Sequence, residues 1–136
     1  MGLSPALWGK EGWRFIHYVA VTYHPSKKEE YLQFFQNLPE ILPCPICGSH
    51  FKINMENHPP NMENAKTLFN WTVDMHNFVN IQNGKKILNY EQAYNELFPK
   101  FVKQNKYQMS DFANGILLST ATAGMLMILV RGFLKK

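Results

Sequence analysis

Pro43-Cys44-Pro45-Ile46-Cys47-Gly48-Ser49-His50-Phe51 holds the only two cysteines of a 136-residue chain and sets them three positions apart. Thiols at that spacing close on each other or share a metal. Pro45 suits the first position of a helix, where its missing N–H costs nothing, and that places Cys44 at the N-cap. The positive end of the helix favours the thiolate there, the form that exchanges with disulfides. A reactive dithiol is the sharper reading. Two others stand beside it: buried structural thiols, or two zinc ligands completed by His50 and His58. A zinc site would have to draw all four ligands from one short, proline-rich segment.

Helices are predicted on both sides of this stretch. Ser4-Pro5 is a cap followed by a first-turn proline, so a first helix should start there and end before Pro25. Trp13, Ile16, His17, Ala20 and His24 recur at steps of three and four and share a face. Gly9 and Gly12 interrupt its first turns at about 1 kcal/mol each, tolerable where backbone must approach something closely. Ser26-Lys27-Lys28-Glu29 has a capping-box pattern and opens a second helix carrying Tyr31, Phe34, Phe35 and Leu38, which Pro39 should stop. The dithiol helix follows, from Pro45 to about Asn57, and His58-Pro59-Pro60 breaks the chain.

A longer helix is predicted from Asn61 or Asn64 to Asn80. Leu68, Thr72, Met75 and Val79 lie on one side, Trp71 on the neighbouring stripe, and His76, Asn77 and Asn80 on a further one. Asn83-Gly84 reads as a turn, and Asn89 caps a short last helix, Tyr90 to Phe98, before Pro99. No strand-like alternation of useful length occurs. The fold class is all-α: a four-helix bundle with a short fifth helix over residues 1–100.

Residues 101–111 read as a polar linker. Residues 112–130 then form nineteen positions without a charge, about 28 Å as a helix, and match a bilayer's hydrocarbon core. This is a predicted transmembrane helix, with 131–136 as a basic tail; an apolar core helix is the other reading. Ser119-Thr120-Ala121-Thr122-Ala123-Gly124 would let a second such helix approach, which leaves a non-covalent homodimer open. The net charge of +4 is scattered along the chain rather than blocked, and no nucleic-acid motif is present, so nucleic acid is not an expected partner. The N-terminus has no basic region followed by an apolar run, so no secretory signal is expected.

Three pieces now align: Trp13 with His17, the dithiol, and Trp71 with His76, Asn77 and Asn80. A flat cofactor between helices accounts for all three, with rings packing on it, amides and imidazoles at its edges, and Lys85 at a phosphate. The set resembles the Erv/ALR family of FAD-linked sulfhydryl oxidases. The resemblance rests on Trp8-Gly9-Lys10-Glu11-Gly12-Trp13-Arg14-Phe15-Ile16-His17, on Pro43 to Cys47, and on Trp71-Thr72-Val73-Asp74-Met75-His76-Asn77-Phe78-Val79-Asn80 leading to Gly84-Lys85. It implies FAD as cofactor, with Gly9, Lys10, Trp13, His17, Trp71, His76, Asn77, Asn80 and Lys85 at its site and no metal.

Cys44 and Cys47 are catalytic by the same resemblance, Cys47 beside the flavin ring and Cys44 exchanging with substrate. The activity implied is disulfide formation in protein dithiol substrates, thioredoxin-like carriers among them, with electrons passing through FAD to dioxygen to give hydrogen peroxide. The family's further structural disulfide is missing, with Val73 and Tyr90 at the corresponding positions. No shuttle cysteine pair exists in this sequence either. In this the chain looks most like the minimal versions of large cytoplasmic DNA viruses.

Two readings of other classes compete. One is a membrane-anchored, non-enzymatic helical interaction module with structural zinc or buried thiols. The other is a dithiol carrier, which would need its Cys-x-x-Cys after a strand, and none precedes Cys44. An anchor at the C-terminus would leave the catalytic domain in the cytosol, in a host cytoplasm or at a virion membrane. Lysines or arginines flank both ends of 112–130, so the positive-inside rule does not orient it.

Overall fold

A computed structural model describes residues 2–99. The expected linker, transmembrane helix and basic tail (101–111, 112–130, 131–136) lie outside the described residues. Among the described residues no helix is long and apolar enough to cross a membrane. The described part is all-α, with helices α1 (Pro5–Val21), α2 (Lys28–Ile41), α3 (Pro45–Asn57), α4 (Ala65–Gln82) and α5 (Tyr90–Leu97).

The caps show why the helices begin where they do. Ser4 Oγ accepts the Ala6 N–H. Cys44 sits at the N-cap of α3, and its Sγ accepts the Cys47 N–H at 3.3 Å. Asn64 and Thr67 form a reciprocal capping box at α4, which fixes the start left open between Asn61 and Asn64. Asn89 accepts the Gln92 N–H in front of α5. Gly84, at φ +63°, takes the left-handed conformation that ends the turn after α4.

Two local expectations fail. Ser26 does not cap α2: Pro25–Lys27 form a 3-10 turn capped by His24, whose Nδ1 accepts the Ser26 N–H, and α2 begins at Lys28 without a side-chain cap. Pro39 does not stop α2, which runs to Ile41. A proline in the last turn loses a single intrahelical bond, and the Leu42 N–H still reaches Leu38 O at 3.2 Å.

α1 packs on α4 and α2 on α3, with α5 against α1 and α4. Phe35, Leu68, Thr72, Val73 and Met75 are fully buried, joined by Ile16 and Ala20 of α1. Phe35 meets the Trp71 ring edge-on at 4.9 Å, so α2 and α4 share one aromatic contact at the centre. Gly48 lets α3 lie directly against α2, since a Cβ there would run into the Pro39 carbonyl oxygen. That contact fixes where the dithiol stands.

Candidate active site

A cavity of about 1360 Å³ opens between α1, the first turns of α3, the end of α4 and the α4–α5 turn. It exceeds the ~300–1,000 Å³ usual for small-ligand pockets, and has room for a dinucleotide. Cys44 and Cys47 line it, joined to each other by a disulfide. Cys44 is 5% exposed and Cys47 half-buried, so exposure runs opposite to the expected outer and inner roles, and the assignment rests on the resemblance.

Trp13 stacks on His76, ring centroids 4.4 Å apart and planes within 7°. Phe51 closes on the same indole at 6.2 Å. The result is a flat aromatic wall facing the dithiol's cavity. Lys10, Arg14, Lys85 and Lys86 stand round it, with Glu96 the only carboxylate lining it among the described residues. This cationic surround suits a diphosphate, and the flat wall suits a fused ring. The residues present therefore fit FAD.

His17 lies beneath His76. Its Nδ1 is 2.9 Å from Thr72 Oγ1 and its Nε2 3.2 Å from His76 Nδ1. Burial lowers the His17 pKa to about 4, with the neighbouring His76 adding to the effect. Burial likewise lowers His76 to about 4, assisted by the positive charge of Lys85. Both rings are neutral at pH 7. Unfolded histidines bind protons from about pH 6.5 downward, whereas these two resist until about pH 4. Their contribution to stability is whole above pH 6.5 and is lost as pH falls toward 4. Urea unfolding between pH 7 and pH 5 should show a loss on the order of 2–3 kcal/mol, with the partly exposed His76 discounted for screening. A stability unchanged over that interval would show that the rings are free to charge in the folded state.

The expected site residues divide in two. Gly9, Lys10, Trp13, His17, His76, Asn80 and Lys85 line the cavity with the two cysteines. Asn80 is buried there, 7% exposed, and its carbonyl accepts the Lys85 N–H at 2.8 Å, which holds the turn beside the site. Trp71 and Asn77 do not line it. Trp71 is packed behind Phe51 and Phe35, and its Nε1–H donates to His58 O at 2.7 Å. Asn77 bonds Leu88 twice, donating from Nδ2 to its carbonyl at 2.8 Å and accepting its N–H at 3.0 Å. It ties down the segment that carries Lys85 and Lys86.

Sequence reasoning missed Trp8, Leu88, Ala93 and Leu97, which also line the cavity. Apolar side chains carry no chemical signal of their own. Gly9 has no close neighbour that a Cβ would strike, whereas Gly12 leaves room for the Trp8 ring. His50 also lines the cavity, but the His58 ring stacks on Phe78 at 4.7 Å, so the four-ligand zinc arrangement is not formed. Among the described residues no three of His, Cys, Asp and Glu come together as a metal site.

A model of the Erv1 / Alr family matches residues 10–107. A "Probable FAD-linked sulfhydryl oxidase" of Acanthamoeba polyphaga mimivirus is 37% identical over 98 residues, covering 67% of this chain and 68% of that protein. The FAD-linked sulfhydryl oxidase of African swine fever virus (isolate Pig/Kenya/KEN-50/1950) is 31% identical over 109 residues, 77% of this chain and 92% of that one. Among solved structures, the FAD binding domain of Erv1 from Saccharomyces cerevisiae aligns with a TM-score of 0.62 at 26% identity, over 65% of this chain and 89% of that one. The yeast Erv1 core, at 24% identity, has the same fold, with a TM-score of 0.65 over 71% of this chain and 86% of that one.

Proposed function

This chain belongs to the Erv1 / Alr family and is an FAD-linked sulfhydryl oxidase with Cys44 and Cys47 as its Cys-x-x-Cys pair, and from that premise we propose how its residues divide the work. The observation that carries the reading is that one cavity is lined by the helix-capping disulfide, the Trp13–His76 stack and four cationic side chains.

A substrate thiolate attacks Cys44 Sγ, the Cys44–Cys47 bond breaks, and Cys47 leaves as a thiolate. A second substrate thiolate then attacks the substrate sulfur now bonded to Cys44 and releases Cys44 as a thiolate. The substrate's two thiols become a disulfide, the enzyme's disulfide becomes a dithiol, and the thiol protons pass to solvent. The Cys47 N–H, already directed at Cys44 Sγ, and the N-terminus of α3 stabilise the released thiolate. FAD, when bound, supplies the two-electron oxidant that restores the disulfide and passes the electrons to dioxygen as hydrogen peroxide.

Trp13, with His76 stacked on it, would hold the ring system, with His17 behind and Asn80 at the edge. Lys10 and Lys85 would meet the diphosphate, and Gly9 lines the same cavity. Trp71 and Asn77 act at one remove, Trp71 through Phe51 and Asn77 through the Leu88 segment. The partners are protein dithiols, thioredoxin-like carriers among them, and dioxygen. Residues 112–130 serve as a membrane anchor; their uncharged run, long enough for a bilayer's hydrocarbon core, supports this.

The test uses the full chain. It should leave the membrane fraction only with detergent, and the released protein should make one hydrogen peroxide for each disulfide formed from a dithiol. Recovery without detergent removes the anchor. Thiol loss without peroxide removes the oxidase.

A further inference from the structure

The contact between His17 and His76 has two self-consistent proton arrangements, and Thr72 selects one. The Thr72 hydroxyl lies 2.7 Å from Phe69 O, a carbonyl that can only accept, so its proton is committed to α4's own backbone. Toward His17, Thr72 Oγ1 is therefore an acceptor, and the 2.9 Å contact needs a proton on His17 Nδ1. A neutral His17 then has a bare Nε2. The 3.2 Å contact to His76 is made by the His76 Nδ1–H donating to it. His76, neutral as well, keeps its own Nε2 unprotonated, and His76 lines the cavity.

We propose that Thr72 is a positioning residue that fixes the tautomers of His17 and His76, so that His76 Nε2 is a hydrogen-bond acceptor for a hydroxyl or amino donor of the bound dinucleotide. The ligand half rests on reading the cavity as the FAD site; the tautomer half rests on the three contacts alone. Valine has nearly the same shape as threonine but no oxygen. In Thr72→Val a proton on His17 Nδ1 would be buried without a partner, which is costly, so the ring shifts its proton to Nε2. His17 then donates to His76 Nδ1, and His76 turns an N–H toward the ligand. One methyl-for-hydroxyl exchange thus changes the cavity's acceptor into a donor two hydrogen bonds away.

The experiment reads the imidazole nitrogens of the full-length wild-type, Thr72→Val and Thr72→Ser proteins by NMR with 15N-labelled histidine. FAD retention is measured on the same preparations. The wild type and Thr72→Ser should both show His17 and His76 protonated at Nδ1, whereas Thr72→Val should show both protonated at Nε2 and hold FAD about tenfold more weakly. The wild-type spectrum needs no variant to fold, and a proton on His17 Nε2 in it overturns the proposal outright. Inverted tautomers in Thr72→Val with unchanged FAD affinity overturn the ligand half. A wild type with the stated tautomers that binds no FAD removes the ligand half together with the oxidase reading and leaves the tautomer half standing.

Discussion

Replacing Cys47 with serine is expected to abolish disulfide formation while the protein still binds FAD. Serine cannot close the bond to Cys44, so a substrate thiolate finds no intramolecular disulfide to attack and no sulfur leaves. Loss of such a group costs at least about a thousandfold in turnover. The cavity loses nothing large, because the sulfur-to-oxygen change leaves Trp13, His76 and the surrounding lysines where they are. Peroxide formation and flavin absorbance, measured on one preparation, separate the two effects. Turnover at the wild-type rate would take the dithiol out of the mechanism.

The second large effect is on folding. Gly48→Ala places a methyl group against the Pro39 carbonyl oxygen, a backbone atom that cannot swing aside as a side chain can. α3 would have to move off α2, where Pro39 is buried and Phe35 and Leu38 form part of the core. Overpacking of this kind costs about 3 kcal/mol, enough to lower the urea midpoint well beyond experimental scatter. Because Gly48 follows Cys47 directly, the same shift would carry the dithiol out of register with the cavity. A variant as stable as the wild type would mean that α2 and α3 are not packed backbone to backbone.

How much of this was legible in the sequence depended on whether a signal was local. Ser4-Pro5, Cys44-Pro45 and Asn89 announced three helix starts, and Asn61 or Asn64 bracketed a fourth, because caps and first-turn prolines act within a few residues. Ser26 and Pro39 misled for the same local reason. The pattern Ser26 to Glu29 resembles a cap, but His24 takes the Ser26 N–H first, and a proline in a helix's last turn lacks the breaking power of one mid-helix. In the site, the motifs identified three helices whose residues do line one cavity.

Which side chains of α4 face the cavity follows from helix geometry rather than from the motif. At 100° per residue, Asn80 lies about 40° from His76, but Asn77 lies about 100° away and Trp71 about 140°. Only Asn80 could share the His76 direction. Thr72 reads with Leu68, Met75 and Val79 as packing, although it precedes His76 by four, one turn back along α4. That His17 would arrive from α1 to join them is a long-range fact, set by how α1 packs on α4, and no local pattern encodes it.

Oxidase chemistry in this chain requires that the cavity walled by Trp13 and His76 receive a flavin. The most direct measurement is the absorbance spectrum of the purified full chain, with released FAD quantified, compared with that of Trp13→Ala. A yellow wild type holding about one FAD per chain, with most of it lost in the variant, is the predicted result. A folded, colourless wild type that takes up no added FAD, or a Trp13→Ala protein that holds FAD as tightly as its parent, would contradict it.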